Sequence, residues 1–150
     1  MAQAQKQVRI IEPLERFVNR INLVGCYARV SSDSEDQLNS YNNQVDFYES
    51  YVNSLENSKL VKIYTDEGIT GTRMDKRDGF LQMIEDCRKG LINTIITKSI
   101  SRFARNITET LSVVRELKSI GVSVYFMTEK IDTAKMGSEM MLAVYAACAE

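Results

Sequence analysis

Short apolar runs rich in β-prone residues alternate along the chain with longer segments in which apolar residues recur every three or four positions. A helical pattern separates each strand-like run from the next. The strand-like runs are 23–30, 60–64, 91–97 and 122–127, and the helical patterns are 34–55, 80–87 and 107–117. This alternation is typical of a mostly parallel sheet with helices on both faces. We therefore predict an α/β domain with a sheet of about four or five strands.

Capping and stop signals support the predicted helix boundaries. The sequence Ser34-Glu35-Asp36-Gln37 forms a capping box at the start of the first helix. Asn106 with Glu109 offers a similar start for the third helix. Gly90 and Gly121 follow the second and third helical patterns, where glycine is a common C-terminal stop.

The two ends of the chain depart from the central pattern. Residues 1–20 mix basic and acidic side chains and include the only proline, so we predict an N-terminal extension there and a core over 21–136. Residues 137–150 are apolar on nearly every side and consist mostly of good helix formers. A helix that is apolar on all sides must be buried, so we predict that it packs against another subunit, with packing in an internal core as the alternative.

A polar cluster follows each of the four predicted strands. The clusters are Ser31-Ser32, 66–77, 98–105 and Glu129-Lys130. In sheets of this kind, ligands bind outside the carboxyl ends of the strands. We therefore expect the four clusters to share one edge of the sheet and to form a site there.

The first strand ends in Tyr27-Ala28-Arg29-Val30-Ser31. Because side chains alternate along a strand, Arg29 and Ser31 are expected to project to the same side. An attacking hydroxyl beside a fixed cation suits a reaction at a phosphoryl group, which carries negative charge. The alternative is a serine that caps the following helix and an arginine that reaches solvent.

A second basic cluster follows the third predicted strand. Arg102 and Arg105 are three residues apart and, at a helix start, would share a face that could clamp a phosphate. A solvated basic turn is the alternative. The chain has neither a glycine-rich Walker loop nor a dinucleotide fingerprint, so the phosphate is not expected to belong to a bound nucleotide cofactor.

Composition limits both the partners and the chemistry. The 150 residues include 19 basic and 20 acidic side chains, a net charge of −1, so any affinity for DNA must be local or come from residues outside this chain. The chain has no histidine, the commonest base for a serine nucleophile. Asp33, Asp66 and Glu67 are conceivable bases. Arginines on the phosphate could contribute much of the catalysis, because phosphoryl transfer depends largely on positioning and charge stabilisation.

The cysteines and the apolar runs bear on cofactors and location. Cys26, Cys87 and Cys148 are widely spaced and have no histidine partner, so we predict buried reduced thiols and no metal or cofactor. No apolar run approaches the roughly 18 residues of a membrane span, and residues 1–20 are too polar for a secretory signal. We expect a cytoplasmic protein that binds no membrane.

With Tyr27-Ala28-Arg29-Val30-Ser31 on the first strand and Ser101-Arg102-Phe103-Ala104-Arg105 after the third, the chain resembles the catalytic domain of the serine recombinases, the resolvase and invertase family. The resemblance runs from about residue 23 to residue 150. The long first helix and the sequence 66–72 are most similar to the large serine recombinases, the integrases and transposases of mobile elements.

The resemblance implies a reaction and its principal residues. Ser31 would attack a DNA phosphodiester, forming a 5′-phosphoseryl link and freeing a 3′ hydroxyl. After subunit rotation within a tetramer, the hydroxyls would attack back, with no nucleotide or metal needed. Arg29 matches the family's arginine two residues before the serine, and Gln44 matches the glutamine of the first helix that contacts the site.

Four further residues are implied in the same way. Arg77 matches the arginine of the family's mobile loop, and Arg102 and Arg105 match the pair after the third strand. Small resolvases have aspartate where this chain has Ser101, and a hydroxyl is a poor proton shuttle at neutral pH. The family also implies that residues 137–150 begin a long oligomerisation helix leading to a C-terminal DNA-binding part that is absent here.

Together these features predict the catalytic domain of a site-specific DNA recombinase that acts on duplex DNA as a dimer and tetramer. Two other functions remain open. One is a catalytically silent assembly module that uses the surface between Met140 and Cys148. The other is a hydrolase that forms a phosphoserine on small phosphate esters.

Overall fold

The residues described by the computed structural model are 20–31, 34–68, 77–104, 106–135 and 137–148, and they form a five-stranded sheet. The side chains of Ser31, 34–38 and 146–148 lie outside that description. The strands are β1 (Asn22–Ser31), β2 (Ser58–Gly68), β3 (Thr94–Thr97), β4 (Ser123–Phe126) and β5 (Ile131–Asp132). Their order is β2-β1-β3-β4-β5; the first four are parallel, and β5 is antiparallel to β4. The predicted mostly parallel sheet of four or five strands is confirmed.

Helices cover both faces of this sheet, as predicted. The helices are α1 (Ser34–Ser54), α2 (Asp78–Arg88), α3 (Ile100–Phe103), α4 (Ile107–Ser119) and α5 (Ser138–Cys148). On one face, Tyr48 and Val52 of α1 pack with Cys26 of β1. On the other, Met83 of α2 and Leu117 of α4 belong to a second apolar cluster. Because β1 lies between β2 and β3, the chain reverses its direction across the sheet at β1, where such folds bind ligands.

Four aromatic rings connect the elements below the carboxyl edge of the sheet. Tyr27 meets Phe80, Phe80 meets Phe103, and Phe103 meets Phe126, each edge-to-face at centroid distances of 5.4, 5.2 and 5.4 Å. Edge-to-face contacts add to the stabilisation that burial of the rings provides. The chain of rings therefore fixes the short helix α3 against β1, α2 and β4.

The predicted helix boundaries agree with the structure where it describes them. The Asn106 side chain accepts a hydrogen bond from the Glu109 backbone N–H at 2.8 Å, as the capping motif predicts. Gly90 and Gly121 follow α2 and α4 with φ of 75° and 80°, a conformation that glycine adopts without a steric penalty. The side chains of the predicted capping box at the start of α1 lie outside the described part of the chain.

Strand lengths and the segment after β3 differ from the prediction. The third strand begins at Thr94 rather than near residue 91, because the Leu91 backbone N–H is still bound to the Asp86 carbonyl at the end of α2. Asn93 then joins β1 through its side chain, accepting from the Leu23 N–H at 3.0 Å and donating to the Ile21 carbonyl at 3.2 Å. Helix α3 is too short to produce a periodic pattern in the sequence.

The two predicted terminal regions are only partly described. Of the extension predicted for residues 1–20, all but Arg20 lies outside the described residues. Helix α5 has 11 residues; its Leu142 is buried, whereas Met140 and Val144 are 73% and 56% exposed. The start of a helix is thus observed near the predicted position, while its length and its partner stay predictions.

Candidate active site

A cavity of about 770 Å³ lies at the carboxyl edge of the sheet. Four parts of the chain form its walls: the end of β1, the segment after β3, the segment after β4, and one face of α1. The lining residues include Arg29 from β1, Lys98 and Arg102 after β3, Thr128 after β4, and Asn39, Ser40, Asn43, Gln44 and Phe47 from α1. The ends of β1, β3 and β4 therefore meet at this edge, and of the predicted polar clusters it is 98–105 that contributes described lining residues.

The structure brings three of the predicted site residues together. Arg29, Gln44 and Arg102 all line the cavity. Arg29 is half-buried near the end of β1, and Arg102 is exposed on α3. The Gln44 side chain donates a hydrogen bond to the Ser40 hydroxyl at 3.2 Å, one helical turn earlier. Two guanidinium groups and a carboxamide thus face one space from different elements.

Ser31 and Arg105 are described only in part or not at all. Ser31 is the last residue of β1, two residues after Arg29, and its backbone pairs with Gly68 of β2. Its side chain lies outside the described part of the structure, so the predicted shared side of Arg29 and Ser31 stays a prediction. Arg105 also lies outside the described residues.

Among the described residues, Arg77 and Ser101 do not line this cavity. Ser101 is exposed, with its hydroxyl oxygen 3.1 Å from that of Ser99. Arg77 immediately precedes α2, where its side chain is 11% exposed and its guanidinium carbon lies 3.9 Å from the Phe80 ring centroid. It also donates to the Phe103 carbonyl and pairs with Glu109 at 3.4 Å. Arg77 is thus inserted between elements that support the site.

Asp66, one of the conceivable bases, uses its carboxylate in hydrogen bonds that hold the fold together. Its buried carboxylate accepts hydrogen bonds from the Tyr27 hydroxyl at 2.8 Å and from the backbone N–H groups of Gly79 and Phe80 at 2.7 and 2.9 Å. Gly79 and Phe80 lie in the first turn of α2, where a carboxylate satisfies otherwise unpaired N–H groups. Asp66 of β2 therefore anchors the start of α2 and connects it to Tyr27 of β1. Glu67 is exposed, and Asp33 lies outside the described residues.

The tyrosines beside the cavity hold the backbone of β1 and β3 in place. The Tyr48 hydroxyl donates to the Tyr27 carbonyl at 3.2 Å, and the Thr97 hydroxyl donates to the same carbonyl at 3.2 Å. Burial raises the pKa of Tyr48 to about 12. Burial and the hydrogen bond to Asp66 raise the pKa of Tyr27 to about 12. Both phenols are therefore neutral donors near neutral pH.

The cavity favours an anion. Three cations line it, namely Arg29, Lys98 and Arg102, and no aspartate or glutamate is among its described lining residues. Positively charged groups on separate elements can bind a phosphate through several charge-assisted hydrogen bonds. The geometry therefore suits a phosphate group held between β1 and α3.

Several lining residues were not singled out in the sequence. Asn39, Ser40 and Asn43 lie on the polar face of α1, and the four-residue spacings of Asn39 to Asn43 and of Ser40 to Gln44 were the available signal. Lys98 belongs to the polar cluster after the third strand, but a lysine in such a cluster is not distinctive. Their approach to Arg29 depends on the packing of α1 on the sheet, which sequence periodicity does not specify.

The buried thiols and the described helices bear on the other predictions. Cys26 and Cys87 are free and buried, as predicted, and burial raises the pKa of each to about 12. The described residues contain no group of three or more histidine, cysteine, aspartate or glutamate side chains placed to hold a metal ion. Of the helices that the structure describes, none combines the length and the apolar character needed to span a bilayer.

Comparison with known sequences identifies the family. Residues 24–150 match the family model described as Resolvase, N terminal domain, and the chain therefore belongs to the resolvase family. It is 31% identical over 132 residues to the transposon Tn552 resolvase of Staphylococcus aureus, which covers 83% of this chain and 56% of that protein. The chain thus spans a little more than half the length of this curated relative. The family predicted from the sequence is confirmed.

Solved structures show the same fold. The N-terminal catalytic domain of TP901-1 integrase superimposes with a TM-score of 0.66 at 22% identity, covering 85% of this chain and 94% of that one. A resolvase family site-specific recombinase from Streptococcus pneumoniae superimposes with a TM-score of 0.67 at 27% identity, covering 85% of each chain. The α/β fold and the family assignment therefore agree.

Proposed function

We propose that this chain is the catalytic domain of a site-specific DNA recombinase. In this proposal Ser31 attacks a DNA phosphodiester, which gives a 5′-phosphoseryl intermediate and a free 3′ hydroxyl. Strand exchange and religation follow within a tetramer. The observation that carries the proposal is the cavity at the end of β1, which Arg29 and Arg102 line from two different elements. Arg29 is two residues before Ser31 on that strand.

The cavity residues have distinct roles in this mechanism. Arg29 and Arg102 bind the non-bridging phosphate oxygens and stabilise the charge that accumulates in the transition state. Gln44, fixed by its hydrogen bond to Ser40, donates to the phosphate or to the attacking oxygen. Arg105 and Ser101 complete the set from the segment around α3. Arg77 acts at the boundary of this site, where it holds the end of α3 through the Phe103 carbonyl.

The relatives support DNA as the substrate. The transposon Tn552 resolvase is 31% identical, and the structure from Streptococcus pneumoniae is described as a site-specific recombinase. The net charge of −1 provides no general attraction for duplex DNA, so we assign recognition of the target sequence to residues outside this chain. Acting on cellular DNA would place the protein in the cytoplasm.

Helix α5 supports self-association. Met140, Met141, Val144 and Tyr145 are 73%, 48%, 56% and 43% exposed, whereas Leu142 of the same helix is buried. Exposed apolar side chains on one helix are typical of a surface that another subunit covers. We assign this surface to contacts between copies of the chain in the dimer and tetramer. The same surface is the observation that favours the alternative function, a catalytically silent assembly module.

The test is covalent attachment of DNA to protein. The 150-residue chain is fused after Glu150 to a DNA-binding module of known specificity and incubated with duplexes that carry two module sites around a randomised spacer. A nick in the spacer prevents the cleaved strands from rejoining. The DNA that stays attached to denatured protein is sequenced to identify the phosphate at which cleavage occurred. We expect an adduct that disappears with Ser31→Ala.

Ser32→Ala is the matched control, because it removes the neighbouring hydroxyl and should leave the adduct in place. An adduct that survives Ser31→Ala would mean that another residue is the nucleophile. If the bound fusion gives no adduct at all, the catalytic proposal fails and the assembly module becomes the better explanation.

A further inference from the structure

Strand cleavage in the proposed mechanism needs a proton donor. When the P–O3′ bond breaks, the departing oxygen would be a strongly basic alkoxide unless it receives a proton. The chain has no histidine, and no carboxylate is among the described residues that line the cavity. Among the described lining residues, the candidate donors are the tyrosines, the arginines and the lysine of that cavity.

The two tyrosines are already committed to other hydrogen bonds. The Tyr27 hydroxyl donates to Asp66 at 2.8 Å, on the buried side of β1 that faces α2. The Tyr48 hydroxyl donates to the Tyr27 carbonyl at 3.2 Å, and its side chain is buried between α1 and the sheet. Transfer of either proton to substrate would leave a phenolate in an apolar environment, which is costly.

The two arginines bind anions but hold their protons. A guanidinium does not release a proton at any pH at which proteins are folded, so Arg29 and Arg102 can neutralise charge only. Amide and hydroxyl groups of the cavity are likewise poor acids near neutral pH. Lys98 is the one remaining proton-transfer group among the described lining residues.

The backbone around Lys98 fixes its position beside the phosphate-binding residues. Lys98 directly follows β3, and its carbonyl accepts a hydrogen bond from the Thr128 N–H at 2.8 Å. The preceding Thr97 pairs with Tyr27 of β1, and its hydroxyl donates to the Tyr27 carbonyl. The exposed Lys98 side chain therefore starts one strand away from Arg29 and lines the same cavity with a flexible ammonium group.

We propose that Lys98 is the general acid of strand cleavage and the general base of religation, an inference that rests on the proposed function. As the bond from Ser31 Oγ to phosphorus forms, the serine proton passes to water and the P–O3′ bond breaks. The 3′ oxygen takes a proton from the Lys98 ammonium group, which becomes a neutral amine. In religation the amine takes the proton of the attacking 3′ hydroxyl, and the Ser31 oxygen leaves and is reprotonated from water.

A change of leaving group tests this assignment. The duplex carries sulfur in place of the 3′ bridging oxygen at the phosphate that the adduct assay identifies. A thiolate is stable close to neutral pH and leaves without a proton. With the all-oxygen duplex, we expect Lys98→Ala to slow adduct formation about 10²- to 10⁴-fold. With the sulfur duplex, Lys98→Ala should form the adduct at a rate within about tenfold of that of the unmodified protein. Such a rate would also show that the variant is folded.

Two further variants distinguish proton transfer from charge. Lys98→Arg keeps the positive charge but not the transferable proton, so it should be as slow as Lys98→Ala on the oxygen duplex. Arg102→Ala should be slow on both duplexes. The assignment would be overturned if Lys98→Ala were equally impaired on both duplexes, or if Lys98→Arg restored the rate. Either result would leave the recombinase proposal intact. Failure of the unmodified protein to form any adduct would overturn the proposed function itself.

Discussion

The guanidinium carbon of Arg77 lies 3.9 Å from the ring centroid of Phe80. The same guanidinium donates to the carbonyl of Phe103, the last residue of α3, and pairs with Glu109 in the first turn of α4. A side chain at the start of α2 therefore joins three helices. One of these, α3, carries Arg102, so Arg77 connects the packing of the domain to the phosphate-binding side of the cavity.

Replacing Arg77 should cost substantial stability. We expect Arg77→Ala to lower the free energy of unfolding by about 2–4 kcal/mol, because it removes a charge-assisted hydrogen bond and a cation–π contact from a largely buried position. Arg77→Lys should lose less stability than Arg77→Ala, because the ammonium group keeps the positive charge. Some loss should remain, because the ammonium group cannot donate to Phe103 and Glu109 in the planar geometry of a guanidinium. Urea denaturation measures both values.

Arg115→Ala is the matched control. Arg115 also pairs with a glutamate, Glu139, at 2.8 Å, but its side chain is 62% exposed, so its loss should leave the urea midpoint nearly unchanged. Equal losses for the two variants would show that the environment of Arg77 contributes nothing beyond an ordinary surface ion pair.

Glu129 holds the other end of α3. Ile100 is the first residue of that helix, and its backbone N–H donates to the two carboxylate oxygens of Glu129, which lie 3.2 and 3.3 Å from the nitrogen. A carboxylate there pairs an N–H group that the helix itself leaves unpaired. We expect Glu129→Ala to cost about 1 kcal/mol of stability. It should also slow adduct formation, because α3, the helix that carries Arg102, is then held less firmly.

The conservative variant distinguishes positioning from charge. The amide oxygen of Glu129→Gln still accepts from Ile100, so this variant should regain most of the adduct rate. Glu116→Ala, which changes an exposed glutamate on α4, should leave the rate as it is. Glu129→Gln that is as slow as Glu129→Ala would argue that the negative charge, and not the hydrogen bond, is what matters.

Periodicity was sufficient to predict the fold, because each long helix and most strands bury a regular set of apolar residues. The apolar positions of α1, such as Tyr48 and Val52, recur at helical spacing and pack on one face of the sheet. The short elements were not predictable in this way. The four residues of α3 and the two of β5 are held by long-range contacts, among them the edge-to-face contacts of Phe103 with Phe80 and Phe126.

The site was predictable in its location but not in its full membership. Strand ends in a parallel sheet share one edge, so Arg29 and Arg102 could be expected to meet there. Which residues face the cavity depends on strand order and on the rotation of α1, and neither follows from local patterns. Arg77 shows the difference, because the resemblance implied a place among the site residues as the arginine of a mobile loop, and in the structure its side chain packs between helices.

Gly79 should tolerate no side chain. A Cβ there would lie 2.4 Å from the Thr65 carbonyl oxygen and 2.9 Å from its carbonyl carbon, and backbone atoms of β2 cannot move aside easily. We expect Gly79→Ala to lower the free energy of unfolding by at least about 2 kcal/mol, since overpacking forces backbone shifts. It should also weaken the bond from the Gly79 N–H to Asp66. Thermal and urea unfolding provide the measurement.

Gly25 offers a contrasting case. A Cβ at Gly25 would meet the Ile92 Cδ1 atom at 2.7 Å, which is the end of a flexible side chain. Gly25→Ala should therefore be less harmful than Gly79→Ala, and Ile92→Val, which removes that methyl group, should reduce its cost in the double variant. Additive losses in the double variant would show that Ile92 is not the obstacle.

The pair formed by Asp86 and Tyr64 should make stability depend on pH in acid. The Tyr64 hydroxyl donates to the Asp86 carboxylate at 2.5 Å, and this bond holds the pKa of Asp86 below its ordinary value of 3.8. The unfolded chain therefore binds the Asp86 proton at a higher pH than the folded chain does. The stabilisation is present above about pH 4 and is lost as the pH falls through the lower pKa of the folded state.

We expect Tyr64→Phe to reduce the loss of stability between about pH 5 and pH 2, because it removes the largest cause of the lowered pKa. At neutral pH the same variant should be less stable by about 1 kcal/mol through the lost hydrogen bond, so the slope against pH is the quantity to compare. Tyr145→Phe, on the exposed surface of α5, should keep the original slope. An unchanged slope in Tyr64→Phe would assign the acid sensitivity to other carboxylates.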